Sequence, residues 1–349
     1  MRSSPRKPSK RQTSITTEAV RWYVNNHYGT ATDQGVTPTF CDPTRVGAFA
    51  VTLEGVARRD PDELFRLIVA VAMFQRRQDA QIIRILGGMT EADSAEISSM
   101  RRLLKLASRS ECEHTKTLDG LLSNCDLTKT PKTKRGTCRA NTRAQCHLKR
   151  HTVLLRRYGH FGKVPTSIAL AVHESGEADI ASMLDAAAAR EATPNARARA
   201  MIAALSRAWR VSEKISSMFL AMVWNPDLTP GVTERDDVDW RHFIVIDSNT
   251  DLFLSSIGYN GLGTYEARRA FIRALSAEID LSALCPTLRR DNPRIVQQAM
   301  YLFMSESNRR GIPTDCMRRR GEACPRCPSV LRSRCPVGDR AKRRLSVVT

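Results

Sequence analysis

Four cysteines near the C-terminal end carry the strongest chemical signal in this chain. Cys316, Cys324, Cys327 and Cys335 read C-x7-C-x2-C-x7-C within twenty residues. The inner pair, Cys324-Pro-Arg-Cys327, stands at chelating distance, and four soft thiolates on one loop suit either a tetrahedral zinc ion or a [4Fe-4S] cluster. Spacing alone leaves both open. A second, looser set, Cys112, Cys125, Cys138 and Cys146, has gaps of 12, 12 and 7 residues, with His114 and His147 close to two of its members. It contains no C-x2-C pair, so it reads either as a second metal site or as part of a flexible basic loop.

Ten cysteines without a secretory signal are better read as ligands or buried apolar residues than as disulfides. The N-terminus is Arg, Lys, Ser and Pro with no apolar stretch behind it, and the longest apolar run, Leu67 to Phe74, is far too short for a bilayer. The expected location is therefore cytoplasmic, and nucleoid-associated in a prokaryote.

With 55 Lys and Arg against 36 Asp and Glu, the formal charge is +19. That charge is uneven. Residues 1 to 17 hold five basic groups and no acid, and Leu127 to His173 hold eleven and again no acid. Solubility alone requires no such clustering; a phosphate backbone as partner does.

The elements that must position these groups are helical. Apolar residues recur at helical spacing over Glu63–Leu86, Ser167–Ala189, Ala196–Trp209, Lys214–Trp224, Tyr265–Ile279 and Arg294–Ser305, and alternating strand patterns are scarce. Breakers fall at the ends, with Pro61 just inside a start and Gly87-Gly88 after a stop. Met1 to Thr13 reads as a disordered basic tail, and Arg340, Lys342, Arg343 and Arg344 close the chain in another. Ser108 to His151, polar and rich in Lys and Thr, reads as an insertion.

A helical chain that ends in a compact four-cysteine loop resembles endonuclease III and its adenine-glycosylase relatives among the helix-hairpin-helix DNA glycosylases. Their loop is C-x6-C-x2-C-x5-C, and here the inner pair is kept while both outer gaps are longer. The resemblance extends over Ala196 to Leu254, where two helical segments flank Arg210-Val211-Ser212-Glu213 and Ile244-Val245-Ile246-Asp247-Ser248 follows. The family's hairpin is Gly-Val-Gly-Arg-Lys and its later segment Val-Asp-Thr-His. On that match Lys214 takes the place of the nucleophilic lysine and Asp247 that of the essential aspartate. Both hairpin glycines are replaced here, by Arg210 and Ser212, and Asn225 to His242 lengthens the stretch between Lys214 and Asp247.

The resemblance implies a mostly α, helix-hairpin-helix glycosylase fold. Residues 17–62 with 250–335 would form an N/C-terminal helical domain carrying the cysteine loop. Residues 63–249 would form a six-helix-barrel-like domain with the hairpin and the 108–151 insertion, and 1–16 and 336–349 would be basic tails. It implies a 4Fe-4S cluster on Cys316, Cys324, Cys327 and Cys335, with zinc as the alternative. It implies a monomer that binds double-stranded DNA containing a damaged or modified base, with no membrane partner. Arg210, Val211 and Ser212 would meet DNA, and Gln75 or Arg76 would fill the gap left by a flipped base. The activity implied is N-glycosylase with AP lyase, the base being flipped into a cleft between two helical domains.

The chemistry explains the pairing of Lys214 with Asp247. Cleaving an N-glycosidic bond builds positive charge on the sugar, which a nearby carboxylate stabilises, and a neutral amine attacks C1′ to form a Schiff base. The plain alternatives are that Asp247 caps the helix after it and that Lys214 is a phosphate contact. At the level of function, the alternative is a non-catalytic iron-sulfur or zinc DNA-binding protein of repair, defence or regulation. On either reading the C-terminal cluster acts as a cross-link, and it would rigidify a loop bearing Arg318, Arg319, Arg320, Arg326, Arg332 and Arg334, six guanidiniums for phosphates.

Overall fold

The computed structural model describes residues 7–28, 38–75, 77–127, 138, 146–156, 159–233, 236–309 and 320–337. Among them there are helices and turns and no strand. No described helix is long and apolar enough to cross a membrane. The chain divides into two units: Thr37–His242 forms one, while Met1–Val36 and Phe243–Thr349 together form the other. A discontinuous unit built from both chain ends is expected from the resemblance, but the divisions fall at 36/37 and 242/243 rather than at 62/63 and 249/250.

In the continuous unit the helix Pro61–Ala72 is the core. It starts at Asp60, whose carboxylate accepts the N–H groups of Asp62 and Glu63, with Pro61 in its first turn. From Leu67 every residue to Phe74 is buried, as expected of a helix that is apolar all round. The helices Glu91–Ser98, Lys163–His173, Ile180–Ala189 and Glu213–Trp224 pack against it. Two of the expected helical segments are each broken in two. Glu63–Leu86 becomes Pro61–Ala72 and Asp79–Gly87, and Ser167–Ala189 becomes Lys163–His173 and Ile180–Ala189. In the second case Asp179 and Ser182 form a capping box that starts a new helix.

In the discontinuous unit, Pro293–Met304 is the central helix, packed by Lys10–Tyr23, Ser248–Ser256 and Tyr265–Ala277. Its Phe303 ring meets Trp22 edge-on at 5.4 Å and Phe253 at 6.1 Å. The helix Lys10–Tyr23 overturns the disordered-tail reading from residue 10 onward. Ser9 and Gln12 form a reciprocal capping box, and Ile15, Ala19, Val20 and Tyr23 give the helix a buried face. The basic residues that suggest a tail lie at its start, where charge does not oppose packing. Residues 1–6 and 338–349 lie outside the described residues.

The described residues of the insertion, 108–127, 138 and 146–151, include helical turns and buried side chains that its composition does not suggest. Met100–Ser108 continues to its first residue and His147–Leu154 begins inside it. Thr115, Leu118, Leu121, Leu127, Leu148 and His151 are buried.

Candidate nucleic-acid interface and cysteine loops

The hairpin joins the helices Pro194–Ser206 and Glu213–Trp224, which pack on each other. Arg210 stands at φ +63°, in the left-handed region where a non-glycine residue costs on the order of 1 kcal/mol. This is a conformation that favours glycine, and here an arginine adopts it. Its neighbours hold it there. The amide nitrogen of Gln75 donates to Arg210 O at 2.9 Å, Val211 N donates to Ala208 O at 3.1 Å, and Trp209 N donates to Ser167 Oγ at 2.9 Å. The Arg210 guanidinium lies over the Trp209 ring, 5.6 Å from its centre.

The expected contact residues therefore divide by role. Val211 is 2% exposed, so its side chain plugs the turn and does not face a ligand. Ser212 is exposed at the N-cap, and its hydroxyl makes no capping bond to the helix. Lys214 is half-buried in the first turn of that helix, next to Glu213. Gln75 is brought to the hairpin but uses its amide on Ala72 O and Arg210 O, as a tie within the fold. Arg76 lies outside the described residues. The first turn of Glu213–Trp224 takes no side-chain capping bond, and a helix N-terminus of that kind favours an anion.

Asp247 belongs to the other unit. The preceding run Phe243–Ile246 is buried and locked by Tyr265, whose hydroxyl donates to Ile244 O at 2.8 Å and accepts Ile246 N at 3.0 Å. Asp247 caps the helix Ser248–Ser256, its Oδ1 accepting Thr250 N at 2.9 Å. The capping role raised as an alternative is thus present. It engages one carboxylate oxygen and does not preclude a role for the other.

Sequence reasoning missed the cation behind Asp247. Arg294 is buried, and burial pulls its pKa below the ordinary value, opposed by Tyr23, Tyr265 and the charge of Asp247. Its guanidinium donates to Gln297 Oε1 and to Gln298 Oε1, the latter at 2.7 Å, and Gln297 Nε2 donates to the Thr250 hydroxyl at 3.0 Å. The signal was a lone Arg in an apolar helix directly after the cap Asn292-Pro293.

In the C-terminal loop, Cys324 lies in the helix Arg320–Arg326, Cys327 follows it and Cys335 lies just beyond Ser329–Arg332. Cys316 lies outside the described residues. Burial raises the Cys327 thiol, and Cys335 and Cys324 raise it further. Arg309, 1% exposed, donates to Cys335 Sγ at 3.4 Å and to Phe303 O at 3.0 Å. A buried guanidinium against sulfur fits a thiolate-ligated centre of net negative charge. Among the described residues, however, no three Cys, His, Asp or Glu side chains stand close enough to form a closed coordination sphere. The loop arginines are partly spent on the fold: Arg334 donates to Ser256 O and Val330 O, and Arg332 to Cys324 O.

Comparison with protein-family models, curated proteins and solved structures finds no match in any of the three.

Proposed function

We propose that the chain is a DNA N-glycosylase with AP lyase activity, acting on a damaged or modified base in duplex DNA. The left-handed Arg210 carries this reading: the turn between two packed helices has a residue at positive φ where the family's hairpin has a glycine, and Lys214 follows in the first turn of the second helix. Further support comes from a unit built of both chain ends that resumes just before Asp247.

On this reading the hairpin grips phosphate through Arg210, Ser212 and backbone N–H groups, and the target nucleotide is extruded from the stack. Asp247 stabilises the positive charge that develops on the sugar as the C1′–N bond breaks and the base departs with a proton. The amine of Lys214 bonds to C1′. The ring then opens as the proton of the new C1′–N ammonium passes to O4′, leaving an iminium; loss of a C2′ proton to solvent expels the 3′ phosphate, and water then hydrolyses the iminium to free the lysine. Cys316, Cys324, Cys327 and Cys335 would hold a 4Fe-4S cluster as a cross-link, with Arg309 as its buried charge partner. About four iron and four sulfide per chain are expected in protein purified without oxygen; stoichiometric zinc without sulfide would identify the other metal.

The test is a strand-scission screen of the purified protein on duplexes that each carry one candidate lesion. Cleavage at a lesion that depends on Asp247 is expected. DNA binding with no excision on any duplex would leave the non-catalytic binding protein, the reading favoured by the Asp247 capping bond.

A further inference from the structure

The insertion is seated on both ends of one helix. At the start of Lys163–His173, the ammonium of Lys163, itself 3% exposed, donates to Leu121 O at 3.2 Å and to Cys125 O. At the end of that helix, Leu118 N donates to the carboxylate of Glu174 at 2.6 Å. Just before Lys163 the fit leaves no room for a side chain: a Cβ on Gly162 would stand 1.9 Å from Leu148 O in the helix His147–Leu154. Leu118, Leu121 and Leu148 are all buried in this packing.

The same helix holds the hairpin. The Ser167 hydroxyl, one turn after Lys163, accepts Trp209 N at 2.9 Å, and the Lys163 ammonium lies 4.6 Å from the centre of the Trp209 ring. That ring also carries the Arg210 guanidinium, 5.6 Å from its centre, and Arg210 is the left-handed residue of the turn. Burial disfavours the charge of Lys163 and pulls its pKa down, so the ammonium depends on the two carbonyls and the ring around it. The Trp209 ring therefore joins a cation fixed by the insertion to the cation of the hairpin turn.

We propose that Lys163 is a positioning residue for Arg210, acting through Trp209, so that the insertion sets how firmly the hairpin presents its guanidinium. Buried in the fold, Lys163 meets no DNA itself; it holds the Trp209 ring, and the ring holds Arg210. A change in the seating of the insertion is then felt at the hairpin as a change in its grip on phosphate. That consequence for DNA rests on the hairpin reading above, whereas the hold of Lys163 on the turn does not.

The test compares the full-length wild type with Lys163→Met, Arg210→Ala and the double variant, each first checked for folding by its melt. Amide hydrogen exchange is read at Trp209 and Val211, whose N–H groups are bonded to Ser167 Oγ and Ala208 O. In Lys163→Met it should run about tenfold faster, the worth of one desolvated cation–π contact, with exchange in Pro293–Met304 of the other unit unchanged. Affinity for a short labelled DNA duplex should fall about fivefold in Lys163→Met. The double variant should bind no more weakly than Arg210→Ala alone, because the lysine acts through that arginine. Trp209→Phe keeps a ring face and should behave like the wild type, whereas Trp209→Leu should reproduce Lys163→Met; this pair decides the matter if Lys163→Met does not fold. Hairpin exchange at the wild-type rate in folded Lys163→Met or Trp209→Leu would overturn the proposal, as would additive losses of affinity in the double variant. A wild type that binds no duplex would sink the DNA reading of the hairpin, and the exchange rates alone would then decide whether Lys163 positions it.

Discussion

The side-chain amide of Gln75 donates to the carbonyl oxygen of Arg210 at 2.9 Å, tying the end of the core helix to the left-handed residue of the hairpin. Loss of this bond in Gln75→Ala should destabilise the continuous unit by about 1 kcal/mol. Arg210→Gly removes the left-handed strain but adds chain entropy in the unfolded state, so stability should stay within about 1 kcal/mol. DNA affinity should nevertheless fall, and the slope of log K against log salt should become shallower by about 1. Denaturant melts and a salt series of binding isotherms check both; an unchanged slope would remove Arg210 from the phosphate contacts.

The bond from Thr250 N to Asp247 Oδ1 makes the choice of substitution decisive. Asparagine caps a helix about as well as aspartate, whereas alanine costs about 1 kcal/mol. Asp247→Asn should melt like the wild type and Asp247→Ala should melt lower, while both lose base excision because the carboxylate charge is gone. Excision that tracks stability across the two variants, and not charge, would reduce Asp247 to its capping role.

His151 is fully buried, and burial pushes its pKa down from 6.5 to about 3. His147, Arg150 and Arg102 also lower it, and Glu96 Oε1 stands 3.8 Å from its Nε2. A base with a depressed folded pKa binds its proton more readily when unfolded. Stability is therefore full above pH 6.5 and declines as the pH falls from there towards 3. Between pH 7 and 5 this one group accounts for roughly 2 kcal/mol. The loss of melting temperature over that interval should shrink in His151→Gln; an unchanged pH dependence would show that other groups govern acid sensitivity.

Much of the helical framework was legible because its signals are local. Asp60-Pro61, Thr193-Pro194 and Asn292-Pro293 each state a helix start in two residues, and the caps are made as written. The capping box of Ser9 and Gln12 lies inside a stretch whose basic composition suggests a tail, and composition says nothing about packing. The hairpin was harder: the residue types at 210 and 212 argue against a glycine turn, and only tertiary bonds from Gln75 and Ser167 explain why Arg210 adopts one. Arg294 behind Asp247 left only a faint local signal, a lone Arg in an apolar helix, and Lys163 beside Cys125 O left none. A buried cation is defined by partners distant in the chain, Thr250 through Gln297 in one case and Leu121 and Cys125 in the other.

The decisive prediction on mechanism concerns Lys214. It is half-buried in the first turn of Glu213–Trp224. An amine that attacks C1′ leaves a trace no phosphate contact leaves: borohydride reduces the iminium and fixes the enzyme to the DNA. Incubating the wild type with its cognate lesion and borohydride should give a covalent adduct that maps to Lys214, and Lys214→Gln should lose both the adduct and strand nicking. Lys214→Arg separates charge from nucleophilicity, since a guanidinium keeps the phosphate contact but does not attack. It should therefore bind DNA like the wild type and form no adduct. A monofunctional glycosylase, in which Asp247 directs water to C1′, would excise the base in all three proteins and leave an intact abasic strand. An adduct that persists in Lys214→Gln would assign the chemistry to another amine, and with it would go the correspondence between this hairpin and a catalytic one.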